Sequence, residues 1–177
     1  MGCRLSSIYG EERPTISKEQ SKILSSTWHG IHSDLEKIGL LMFMGMFDNH
    51  PETKQFFGLS GGPMMSEDPK VVQKIQEHGL RFMSIARKLV ANLDDPEKFD
   101  AILLDLGKRH HTYQADINLV DTFGQHFIAS IRPTLKNNWS EAVENAWEQL
   151  FKCIAYRMKQ GLTEAATEAI AAEDILQ

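Results

Sequence analysis

The chain has 177 residues, 42% of them hydrophobic, and a net charge of −5, enough for one domain to bury a core without disulfides. No long basic run occurs, which argues against nucleic acid as a partner, and no apolar stretch approaches the roughly 20 residues that span a bilayer. The two cysteines, Cys3 and Cys153, lie at opposite ends, so they form no disulfide framework and fit a reducing compartment.

Residues 1–16 read as a flexible tail closed by Pro14, without the apolar segment of a secretory signal. Its opening, MGCRLS, matches the N-myristoylation pattern: Gly2 becomes terminal once Met1 is removed, and Ser6 fills the hydroxyl position. One myristoyl chain gives only marginal membrane binding, so a second signal is needed. The tail offers only Arg4 and Arg13 against Glu11 and Glu12, which leaves Cys3 as the second acylation site. The expected location is the cytoplasmic face of a membrane, or the cytoplasm if the chain is not acylated.

Ser17 opens the first helix, with Gln20 completing a capping box, and Leu24, Trp28, Ile31 and Leu35 follow at helical spacing. A second box, Ser33 with Glu36, opens a helix that runs to about Asn49 and is stopped by Pro51. PETKQFFGLSGGPMM reads as a short helical turn and a glycine-rich loop. Asp68 and Pro69 then start a helix to about Asn92, and Asp95 with Pro96 start the next. A further helix runs from near Asn118 to around Asn137, with Pro133 late in it. Ser140 starts the last long helix, which Gly161 is expected to end as a C-terminal cap. The acidic segment 162–177 reads as a frayed or surface helix. No strand pair or repeat appears, so the reading is an all-α domain over 17–161 of six long helices plus a short one.

Two of these helices carry a histidine on an otherwise apolar stripe. Val71, Ile75, His78, Phe82, Ile85 and Leu89 share one face. From His110 the face runs back through Leu106, Leu103 and Phe99, whereas the face of the adjacent His111 runs through Gly107, Leu104 and Asp100. His110 is therefore expected to point inward and His111 toward the rim. Two imidazoles do not make a zinc site, which wants four ligands, and no cysteine or carboxylate shares these stripes. Haem brings its own four equatorial nitrogens and needs only one or two axial ones from protein. The thioether motif C-x-x-C-H is absent, so the haem would be non-covalent, haem b.

Over about residues 17–161 the chain resembles a globin. FDNHPETKQFF is similar to the globin segment in which a proline starts the short third helix and a phenylalanine, here Phe57, packs on the haem. EHGLRFM resembles the distal helix with its histidine, His78, and LGKRH resembles the proximal helix with its iron-binding histidine, His110. The two lie 32 residues apart, similar to neuroglobin-like members. Trp28 falls where first helices carry a tryptophan. Gly39 and Gly79 match the small residues at which the second and fifth globin helices cross, and a helix-interior glycine costs about 1 kcal/mol against alanine, which implies a packing reason. Within the family, MGC, HGLR, LGK.H and the closing helix look most like globin X. That resemblance implies myristoyl at Gly2, palmitoyl at Cys3, and axial coordination by both His78 and His110.

Phe82 is larger than the valine common one turn after the distal histidine, and with Phe43 it is expected to crowd the distal pocket. Arg81, and more weakly Lys74, are candidates for a haem propionate. His126 reads as a packing histidine; His29, His32 and His50 as surface residues; Phe123, Phe127 and Phe151 as core; Cys153 as a buried thiol. Met42, Met44 and Met46 spread around their helix and form no copper site. The function expected is a membrane-tethered haem protein of redox or gas-sensing type, with O₂, NO, CO or nitrite as small ligands and a separate reductase. An enzyme of nitrite reductase or NO dioxygenase type and a haem-free interaction module are the alternatives.

Overall fold

The computed structural model describes residues 12–59 and 69–175. Gly2, Cys3 and Ser6, the glycine-rich loop from Ser60 and the cap expected at Asp68 lie outside the described residues. Six α-helices follow in order: α1 (Lys18–Ile31), α2 (Leu35–Asn49), α3 (Pro69–Val90), α4 (Pro96–Thr112), α5 (Leu119–Leu135) and α6 (Glu141–Ile175), with a short 3-10 helix at Pro51–Phe57. Among the described residues there is no strand. The all-helical architecture expected from the sequence is the one observed.

Local signals place most of the boundaries. Ser17 Oγ accepts from the Gln20 amide at 3.1 Å while Gln20 Oε1 accepts from the Ser17 amide at 2.9 Å, so the capping box satisfies two otherwise orphaned donors. Asp95 Oδ1 accepts from the Lys98 amide at 3.1 Å, with Pro96 at the first helical position. Ser140 Oγ accepts from the Val143 amide at 3.3 Å at the head of α6.

Two expectations are corrected. The Ser33 and Glu36 box does not form: a 3-10 turn, His32–Asp34, carries the chain straight from α1 into α2, and α2 starts after Asp34 without a side-chain cap. Gly161 does not end the last helix. α6 continues to Ile175, and Gly161 lies at a close crossing with α4, where its missing side chain answers a packing need rather than a left-handed turn.

The core is filled by Trp147, Phe43, Phe47, Phe127, Leu24, Ile31 and Ile38, all but sealed from solvent. Fully burying such side chains stabilises by roughly 1.5–3 kcal/mol each. Trp147 tilts against both Phe127 and Trp28, and its Nε1 donates to Thr27 Oγ1 at 3.1 Å, giving the indole a partner in an otherwise apolar interior. α2 is apolar nearly all round because it lies between α3 and α5. α3 approaches α2 at the expected glycine pair: a Cβ on Gly39 would sit 2.8 Å from the Gly79 Cα, and one on Gly79 would sit 3.0 Å from the Gly39 Cα. No larger side chain leaves the two backbones this close. α4 packs chiefly on α6.

Candidate functional site

α3 carries His78 one residue before the Gly39 and Gly79 contact, so the backbone beneath this imidazole is set directly on α2. The His78 ring is half-buried. Phe57, delivered by the 3-10 helix, meets it edge-on at 4.8 Å between centroids, and Phe43 from α2 does so at 5.4 Å. These two rings contact each other at 5.3 Å, and Phe43 continues to Phe123 at 5.3 Å. His78 thus sits at the edge of an aromatic cluster contributed by α2, α3, α5 and the 3-10 helix.

Phe82 joins the same cluster through Phe123. Its ring packs on Phe123 at 5.0 Å, Phe127 at 5.3 Å and Phe151 at 6.5 Å, so it joins the α5 and α6 core and bears on Phe43 through Phe123. Arg81 is 71% exposed and pairs with Glu77 on its own helix at 3.7 Å. Lys74 is exposed.

On the opposite helix, α4, the His110 Nδ1 lies 2.8 Å from the Leu106 carbonyl oxygen one turn back. A carbonyl can only accept, so this contact puts the proton on Nδ1 and leaves Nε2 with a free lone pair. Tyr113 stands edge-on to the His110 ring at 6.4 Å. His111, on the face shared with Gly107, is half-buried. Burial holds the His110 imidazole below its ordinary range, with the Leu106 carbonyl opposing that shift. Burial does the same to His78, followed by the charges of Arg81 and of His110. Both shifts favour the neutral imidazole, the form that can donate a lone pair.

Among the described residues no three His, Cys, Asp or Glu side chains converge as they would around a bare metal ion. Two partly buried imidazoles, one of them against the rings of Phe43 and Phe57, fit instead a group that supplies its own equatorial ligands, which is haem.

Sequence reasoning did not find several polar arrangements. His50 and His126 stand edge-on to each other at 5.8 Å, bringing together one residue read as surface and one as packing. Asp100 bridges Arg13 at 2.8 Å and Arg157, joining the N-terminal segment to α4 and α6. Cys153 is buried as expected; its thiol donates to the Pro14 carbonyl at 3.4 Å, and burial pushes it up to about 11. None of these pairings has a local signature, since each links residues far apart in the chain.

This six-helix fold presents His78 from α3 and His110 from α4 as candidate haem ligands. The globin family model matches residues 41–158, more than half of the chain, and the protein belongs to the globin family, whose cofactor is haem. Cytoglobin-2 of Danio rerio is 24% identical over 160 residues, covering 88% of each chain. Neuroglobin of Dissostichus mawsoni is 21% identical over 146 residues, covering 82% of this chain and 92% of that one. A solved hexacoordinated haem protein from an anhydrobiotic tardigrade superposes with a TM-score of 0.75 at 16% identity, over 86% of this chain and 99% of the other, which establishes the shared fold.

Proposed function

We propose that this globin is a membrane-tethered, six-coordinate haem protein, similar to globin X, that works in electron transfer or in sensing O₂ or NO rather than in bulk O₂ storage. The observation that carries the reading is the pair of partly buried imidazoles on α3 and α4, one with its Nε2 freed by a backbone hydrogen bond. The solved tardigrade relative, described as hexacoordinated, lends the reading support.

When bound, haem supplies the redox-active iron and the site for small ligands. His110 would hold it from α4, its ring orientation fixed by the Leu106 carbonyl. His78 would hold the opposite side. Phe43 and Phe57 exclude water from the His78 ring and restrict its rotation. With His78 so engaged, the site would be open to a small ligand such as O₂, NO, CO or nitrite only while His78 is withdrawn, and apparent affinity would be reduced to that open fraction. A site so regulated suits signalling or electron exchange better than storage. Any catalytic turnover needs a separate reductase.

The tether is read from Gly2 and Cys3 as myristoyl and palmitoyl sites, the two signals that stable anchoring requires.

An absorption spectrum of the ferrous protein tests the axial pair. Sharp, split visible bands of low-spin iron are expected, and a broad high-spin spectrum would overturn coordination by His78. For the tether, Gly2→Ala is expected to release the protein from cell membranes; an unchanged distribution would refute acylation.

A further inference from the structure

The broadest helix contact in the molecule joins α4 to α6, and it continues past the point where the sequence places the end of α6. Asp100 on α4 pairs with Arg157 on α6. Two turns further along α4 and one along α6, Gly107 meets Gly161: a Cβ on Gly107 would stand 3.0 Å from the Gly161 Cα and inside contact of the Met158 carbonyl oxygen. A Cβ on Gly161 would stand 3.1 Å from the Gly107 Cα and inside contact of the Leu104 carbonyl oxygen. Further along, Lys108 reaches Glu164 at 3.4 Å and Glu168 at 2.9 Å. Residue numbers rise together on both helices, so α4 and α6 run side by side in the same direction. The segment after Gly161 lies along the last turns of α4.

Those turns carry His110. Gly107 follows Leu106, whose carbonyl orients the imidazole, and precedes His110 by three residues. The backbone that aims His110 therefore rests on the backbone of α6 with no side chain between them. Helix-interior glycines are unfavourable in isolation, and two facing each other at one crossing are explained by the closeness they permit. The Lys108 pairs are half-exposed and individually weak, but they fix the direction in which α6 leaves the crossing.

We propose that α6 from Gly161 to Glu168 is a positioning element for His110, setting how far and at what rotation the imidazole projects from α4. The proposal rests on the reading of His110 as the proximal ligand. It gives the region beyond Gly161 a role in tuning the iron site.

The test uses the full chain carrying His78→Leu, so that the ferrous iron reports on its proximal bond alone. The iron–histidine stretch is read by resonance Raman and haem loss by transfer to a scavenging apoprotein. Gly161→Ala is expected to shift the stretch and speed haem loss about tenfold, the effect typical of disturbing a ligand's support. Lys108→Gln and the double substitution Glu164→Gln with Glu168→Gln are expected to shift it in the same sense, with haem loss about twofold to threefold faster. A Gly161→Ala protein that melts earlier yet keeps both readouts unchanged would overturn the proposal, leaving the crossing a purely structural contact. If Gly161→Ala does not fold, the Lys108 and glutamate variants decide: a moved stretch at unchanged melting temperature supports the proposal, and an unmoved one overturns it. His110→Ala, run alongside, must abolish the stretch. If the stretch survives there, the reading of His110 itself fails, whatever the α6 variants do.

Discussion

The two histidine-bearing helices are held in contrasting ways. Around His110 the constraint is directional: a hydrogen bond to the Leu106 carbonyl fixes the ring, and ion pairs at Asp100 and Lys108 bracket a backbone contact with α6. Around His78 the described ring contacts are those with Phe43 and Phe57, and the neighbouring Gly79 sets the backbone against Gly39 of α2. Edge-to-face ring pairs are worth about 0.5–1.5 kcal/mol each and tolerate rotation far better than a hydrogen bond to a fixed carbonyl. On the proposed reading, His110 would be the imidazole that stays and His78 the one that leaves.

The sharpest break in this contrast is to exchange each histidine in turn. His110→Ala is expected to weaken haem retention about tenfold to a hundredfold, measured by transfer to a scavenger. His78→Leu should retain haem and convert a low-spin spectrum to a five-coordinate one. Equal haem loss from both variants would show the two sides to be equivalent. Next comes Gly79→Ala, whose new methyl must push α3 off the Gly39 backbone. A loss of about 1–3 kcal/mol in denaturant unfolding is expected, as for other overpacked contacts. Phe57→Leu removes one ring from the His78 side. Binding of CO to the ferrous protein should accelerate by about twofold to tenfold, the size of one ring pair. Phe82→Leu, which acts only through Phe123, should change that rate less.

The smallest expected effect is one of pH, at the His50 and His126 pair. Burial first, and then the charge of His50, hold His126 below its ordinary value of 6.5. As pH falls through 6.5 the unfolded chain takes up this proton before the folded one does. Stability from this group is therefore complete above that point and lost as pH drops through the lower folded value. Melting curves across this range should flatten in His126→Gln; an unchanged slope would assign the acid sensitivity elsewhere.

How much of this was readable beforehand depends on the range of each interaction. The Ser17 box and the Asp95 cap follow from residues within one turn of each other, and both are seen in the structure. The Gly39 and Gly79 contact is long-range, yet the resemblance to globins pointed to it. Ser33 misled because a local cap needs a break in the chain, and a 3-10 turn removed the break. Gly161 misled because a glycine that ends a helix and one that admits a neighbouring backbone look alike until the neighbour, Gly107, is in view. The placement of Phe82 and the Arg13, Asp100 and Arg157 cluster depend on where α5 and α6 lie, which no local pattern encodes.

The N-terminal segment just before α1 has a further consequence. Arg13 is tied to Asp100, the Pro14 carbonyl accepts from the Cys153 thiol, and the Thr15 carbonyl accepts from Gln149 Nε2 at 2.9 Å. The chain is thus moored to the body from Arg13 onward. If Gly2 is acylated as proposed, any leash is limited to the eleven residues from Gly2 to Glu12, whose fully extended length is about 40 Å. A globin leashed at Gly2 would be free to roll against a bilayer but not to diffuse away from it. Its search for an electron donor would then be confined to two dimensions, and shortening or lengthening the leash would set which donors lie within range.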